Sequence, residues 1–192
     1  MVAPGRMGHH RIMEWTQAGL SKLRFGGFVP LATLDPSTVP ADAGVYVVLR
    51  TSGDPPVFSD VNTAGHLKGK DPTVATPVLE AAWVPSAVVL YIGKASGGRK
   101  GRRGLRKRLD EYRRHGGGRP VGHWGGRYIW QLRDRDQLLV AWKPTPGQDP
   151  EDVESGLIAD FRTHYGARPF ANRKAGRQPS DATTGDETAA TA

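Results

Sequence analysis

The sequence predicts one mixed α/β domain, and three observations carry that reading. Three short β-branched and aromatic runs are each bounded by Gly or Pro. Two longer segments repeat apolar residues at helical spacing. The length of 192 residues suits one core with extensions, not two ordinary domains and a linker.

The strands come first. Gly44-Val45-Tyr46-Val47-Val48-Leu49-Arg50, Ala87-Val88-Val89-Leu90-Tyr91-Ile92 and Leu138-Leu139-Val140-Ala141-Trp142 are rich in residues that fit a pleated, buried surface. Ahead of them, Arg11 to Arg24 places Ile12, Trp15, Leu20 and Leu23 at rough helical spacing, and Gly26-Gly27 reads as its stop. Gly104 to His115 predicts a helix with Leu105, Leu109 and Tyr112 on one face, ended by Gly116-Gly117-Gly118. Asp149-Pro150 is a strong helix start, with Asp as N-cap and Pro at the first helical position, and that helix should run to about Tyr165 before Gly166. Between the first two strands, 51–86 is rich in Pro, Gly, Asp and Thr. An unstructured loop of that length would be unusual, so local turns and a short element are expected inside it. The organisation expected is an N-terminal helical extension over 1–42, a core over 43–174 with its insertion at 51–86, and a disordered tail over 175–192, where no large apolar residue occurs.

Composition excludes several classes of function. The chain has no cysteine, which removes disulfide frameworks, Cys-ligated zinc, iron–sulfur clusters and thiol nucleophiles. No apolar run approaches 18 residues and the N-terminus has no apolar signal stretch, so a soluble, cytoplasmic protein is expected. The six histidines show no metal-ligand spacing. Gly93-Lys94 lacks the upstream Gly and following Ser/Thr of a nucleotide loop.

Charge is the first pointer to a partner. Net charge is +8, and between Gly97 and Asp136 there are 13 Lys/Arg against 4 Asp/Glu, so that one stretch holds the whole excess. Glycines interleave with Arg99, Lys100, Arg102 and Arg103, and Tyr112, Trp124, Tyr128 and Trp130 follow. Basic residues, close-approach glycines and stacking aromatics together suit a polyphosphate such as nucleic acid.

Two charges stand where apolar residues belong. At about 100° per residue, Arg108 flanks the Leu105–Leu109–Tyr112 stripe, while the other basic residues of that helix point away from it. In the last helix, Glu154 falls inside the arc of Val153, Leu157, Ile158, Phe161 and Tyr165. A carboxylate there is costly unless it is paired or holds a metal. The residues alone leave open that Arg108 and Glu154 pair with each other, or that their heads reach water along apolar stems.

Tyr46 in Gly44-Val45-Tyr46, Tyr91-Ile92-Gly93, Arg108, Glu154 and the Asn172 of Pro169-Phe170-Ala171-Asn172 form an ordered set. It resembles the GIY-YIG nuclease superfamily over about Ala43 to Asn172, with Val in place of Ile in the first motif. The resemblance implies an α/β fold of the α+β type, a small three-stranded antiparallel sheet flanked by helices. It implies phosphodiester hydrolysis with one Mg²⁺ or Mn²⁺ held by Glu154, with DNA ahead of RNA as substrate. By the same resemblance, Tyr46 and Tyr91 are the catalytic tyrosines and Arg108 the catalytic arginine. Tyr112 occupies the position one turn later, Lys94 matches a lysine of the excision-repair branch, and Asn172 matches the C-terminal asparagine. Cationic neighbours are expected to lower the pKa of one phenol so that it accepts a proton from the attacking water; the sequence does not choose between Tyr46 and Tyr91. The departure is spacing. Tyr91 follows Tyr46 by 45 positions where most relatives have about ten, and 51–86 is read as an excursion at the end of the sheet that contacts substrate. The competing expectation is a non-catalytic nucleic-acid-binding module of the same fold.

Overall fold

A computed structural model describes residues 13–98 and 103–173. Four strands, β1 (Gly26–Pro30), β2 (Gly44–Leu49), β3 (Val89–Ala95) and β4 (Leu139–Pro144), form one antiparallel sheet in the order β1-β4-β2-β3. The helices are α1 (Gln17–Lys22), α2 (Thr76–Ala82), α3 (Leu105–Gly116) and α4 (Pro150–Tyr165).

The sheet therefore has four strands where three were expected. The fourth is built from the segment read as a helix stop. Gly27 has φ 97°, Phe28 has φ 55°, and the pairing with β4 slips between Gly27 and Val29, so two glycines, a bulge and Pro30 hide the usual strand pattern. Its position at the edge tolerates the proline. The helix expected over Arg11–Arg24 is shorter: of residues 13–24 only Gln17–Lys22 is helical, capped by the Thr16 hydroxyl, which accepts from Gly19 N at 3.1 Å. Arg11, Ile12 and the tail from 175 lie outside the described residues.

Both faces of the sheet are covered. All six residues of β2 are buried, and their alternation divides two cores. Tyr46 and Val48 join Tyr91, Leu105, Leu109, Tyr112, Trp130 and Val140 on the α3 side. Val45, Val47 and Leu49 join Trp15, Leu20, Ile92, Ile158 and Phe161 on the α1 and α4 side.

The insertion is part of this packing. Leu79, on α2, is fully buried, and Phe58, Val74 and Trp83 pack on the α3-side core. Buried Gln131 donates to Ser59 O (3.0 Å) and Val74 O (2.8 Å), while Asn62 Nδ2 donates to Arg127 O (3.0 Å). Arg50 Nε donates to Asp134 at 2.6 Å, tying the end of β2 to the same segment.

Candidate active site

Register brings the two motif tyrosines together. Tyr46 lies opposite Gly93 and Val48 opposite Tyr91, so the tyrosines are diagonal neighbours on one face of the sheet. Their ring centroids are 6.0 Å apart, and Tyr112 on α3 stands 6.1 Å from Tyr46 and 5.6 Å from Tyr91. Gly93 is required here: a Cβ would fall 2.5 Å from Tyr46 Cζ.

The back of this cluster is the segment from His123 to Trp130, whose Tyr128 and Trp130, expected as stacking aromatics, are buried in the core instead. His123 is fully buried, stacks on Tyr112 at 3.7 Å with 10° between the planes, and places Nε2 3.2 Å from Tyr46 Oη. Tyr112 Oη donates to Gly126 O at 2.8 Å. A Cβ at Gly125 would lie 2.9 Å from Tyr91 Oη, and one at Gly126 would lie 2.1 Å from Tyr112 Oη. The pair Gly125-Gly126 thus lets the backbone lie against the phenols, and the adjacent glycines were the only sequence signal for it. Arg127 lies over Trp124, 4.7 Å from its ring centre.

Charged groups approach from the other side. Arg108 is half-buried; its Nη1 donates to Gly122 O at 3.1 Å and stands 3.8 Å from Glu111. Across the end of β3, Lys94 Nζ meets Glu151 at 2.7 Å and Glu154 at 3.6 Å. Arg108 and Glu154 do not pair with each other; each has its own counter-charge. An open cavity of about 240 Å³ is lined by Lys94, Ser96, Arg103, Gly104, Arg108 and Glu111. Arg103 is exposed and pairs with Glu111 at 3.3 Å; Arg99, Lys100 and Arg102 lie outside the described residues.

Electrostatics link the two sides. Burial raises the pKa of Tyr46, opposed by Arg108 and reinforced by Glu154, and the same three influences act on Tyr91 together with Tyr46 itself. Tyr91 and, through burial and its neighbouring phenols, Tyr112 are held well above the ordinary tyrosine value. The expected lowering of a phenol pKa by cations is therefore not found: Arg108 does pull downward, but the loss of solvent outweighs it. Burial also holds His123 well below its usual value, assisted by the charge of Arg108. For Arg108 burial is the largest influence and opposes its charge, yet the phenols and Glu111 together raise its pKa. Burial raises Glu154 despite the opposing pull of Lys94.

Asn172 lies elsewhere. Its amide accepts from Ile92 N (2.9 Å) and donates to Ile92 O (2.8 Å), closing the outer edge of β3 beside the bond from Ala171 N to Leu90 O. Tyr46, Tyr91, Tyr112, Arg108, Lys94 and Glu154 gather at one end of the sheet, and Asn172 serves its edge.

Among the described residues, no three His, Asp or Glu side chains gather as a metal site. The carboxylates nearest are Glu154, with 15% of its side chain exposed and its ammonium partner at the loose distance of 3.6 Å, Glu151 on the same lysine, and Glu111 in the cavity wall. A Glu154 carboxylate with spare lone pairs fits a hard divalent ion that keeps most of its waters.

Comparison of the chain with protein-family models, with curated proteins and with solved structures returns no match. No helix among the described residues is long and apolar enough to cross a membrane.

Proposed function

We propose that the chain is a divalent-metal-dependent endonuclease of the GIY-YIG type that hydrolyses phosphodiester bonds in DNA. The observation that carries this reading is a cationic cavity walled by Lys94 and Arg108, with Glu154 3.6 Å from Lys94 and three buried, mutually packed tyrosines within reach of the Arg108 charge.

A phosphodiester entering that cavity meets Arg108, whose fixed fork of donors suits equatorial phosphoryl oxygens and the charge that builds on them. Lys94 steadies the same anion and orients Glu154. When bound at Glu154, Mg²⁺ or Mn²⁺ would supply Lewis-acid polarisation and a water of lowered pKa. The phenols enter the reaction protonated, because burial holds them so. A phenol that takes a proton from water must pass its own onward, and Tyr46 has an acceptor for it in His123 Nε2 at 3.2 Å. This favours Tyr46 over Tyr91 as the proton-handling group. The water proton goes to Tyr46 Oη as the phenol proton goes to His123, the new P–O bond forms, and the departing oxygen takes a proton from solvent. The imidazolium that results is disfavoured by burial and by Arg108, and the incoming phosphodiester charge offsets both.

The test is cleavage of plasmid and linear duplex with Mg²⁺ or Mn²⁺. Glu154→Ala and Arg108→Ala are each expected to slow cleavage by about 10²–10³-fold or more, the scale of losing one preorganised charge-stabilising group, with circular dichroism unchanged. Robust cleavage by Glu154→Ala would remove the metal assignment. Tight, salt-dependent binding without cleavage in either metal would establish the binding module instead.

A further inference from the structure

At the opposite end of α3 from Arg108 lies a second open cavity, about 330 Å³, whose walls include Arg113, Arg114, Arg119, Trp130, Arg135 and Asp136. We propose that it is a second phosphate-backbone site, gripping the nucleic acid at a distance from the scissile bond. The inference rests on the nuclease reading for its substrate, and on the following geometry for its place.

Part of the local charge has a structural explanation. Asp110 pairs with Arg113 at 3.1 Å and with Arg114 at 3.7 Å, and both arginines also offset the partial negative charge of the helix end. Arg119 and Arg135 are not accounted for in that way. They lie beyond the helix, and neither makes an ion pair among the described residues; Arg135 Nη1 reaches only the Leu132 carbonyl at 3.3 Å. Buried donors without acceptors cluster at the same walls. Trp130 Nε1, on a ring 2% exposed, and Arg113 Nε have no partner. Gly116 keeps this wall thin, since a Cβ there would fall 2.5 Å from the edge of the Trp130 indole. Cations that exceed their carboxylates, in a cavity wide enough for a phosphate group, match a polyanion.

Distance fits one substrate spanning both sites. From Arg108 to the end of α3 at Gly116 is eight residues, about 12 Å of helix, and a strand advances about 3.4 Å per nucleotide. The second site would thus be reached about three to four nucleotides from the cleaved bond.

The experiment is binding of a 24-base-pair duplex in EDTA, so that cleavage plays no part, with affinity followed against salt. The double variant Arg119→Gln/Arg135→Gln is expected to bind at least about tenfold more weakly at low salt. Its log–log salt slope should be shallower by about 2, the loss of two phosphate contacts. Arg24→Gln/Arg162→Gln removes the same charge from exposed positions just after α1 and on α4 and should leave the slope unchanged. An unchanged slope in the first variant, or an equal drop in the second, would overturn the site. A site for free anions would instead show as wild-type protein stabilised by inorganic phosphate, the double variant not, and the duplex slope unaltered; that too overturns the backbone assignment. If the wild type fails to cleave with Mg²⁺ or Mn²⁺ while the slope still falls, the second site stands and the nuclease reading fails.

Discussion

Tyr46 is fully buried yet its oxygen has a polar partner, and that combination sets its chemistry. Burial keeps the phenol protonated, while His123 offers its proton a destination. A buried tyrosine would ordinarily be explained by packing alone; this one also shares a polar contact with His123 Nε2, and the proposed proton transfer rests on that contact. Glu154 carries a charge that burial makes costly to keep. Its folded pKa is raised, chiefly by burial, so the native state holds the carboxyl proton to higher pH than the unfolded chain does. The contribution to stability is thus most favourable below the ordinary carboxylate value of about 4.3 and is lost as pH climbs through the raised folded value. Glu154→Gln, which stays neutral, is expected to melt higher than wild type at pH 7, with the gap closing as pH falls below that range. A wild-type protein that melts higher than the variant at pH 7 would show that Lys94 more than compensates the buried charge.

At the scale of elements, glycines mark where backbone and side chain share space. Gly126 belongs to the segment before the short 3₁₀ turn at Arg127–Gln131, and Gly156 to the exposed face of α4. Adding a methyl has opposite consequences in the two places. Gly126→Ala forces a Cβ to within 2.1 Å of Tyr112 Oη, and overpacking of that kind should destabilise by about 1–3 kcal/mol and impair cleavage with it. Gly156→Ala meets nothing within 4 Å and replaces the poorest ordinary helix former by the best, so it should stabilise by about 1 kcal/mol. Denaturant midpoints of the two variants check both signs. The helices were readable because their ends carry local chemistry: Asp149 accepts from Glu151 N at 2.9 Å, Pro150 opens the first turn, and Gly166 (φ 71°) closes the last. Strand β1 was not readable, because its pairing with β4 comes from tertiary contact and its own sequence argues for a break.

For the molecule as a whole, the 51–86 segment is the largest difference between expectation and structure. It was read as an excursion; instead it supplies Leu79 and Trp83 to the core and is stitched by Asn62 and Gln131 to the chain beside the tyrosines. Truncating one buried leucine already costs about 2–5 kcal/mol, a large share of the 5–15 kcal/mol that typical domains possess. Replacing 52–86 by a four-residue turn should therefore abolish the cooperative unfolding transition followed by circular dichroism. A shortened chain that still melts cooperatively and cleaves DNA would show the segment to be dispensable. The absence of a short hairpin between the tyrosines does not spread the site, because the β2–β3 register still sets them side by side.

The sequence alone determined what local physics encodes: strands β2 to β4, helices α3 and α4 with their caps, the concentration of positive charge, and the anomaly of Arg108 and Glu154 on otherwise apolar faces. These follow from periodicity and from side chains that act on their own backbone within a turn. The tertiary structure decided which charges meet. It gave Glu154 to Lys94 and the Arg108 guanidinium to Gly122 O, sent Asn172 to the edge of β3, and brought His123 from 77 positions away onto Tyr46. It also reversed the expected direction of the tyrosine pKa. Desolvation depends on everything packed around a group, and no local pattern along the chain records that.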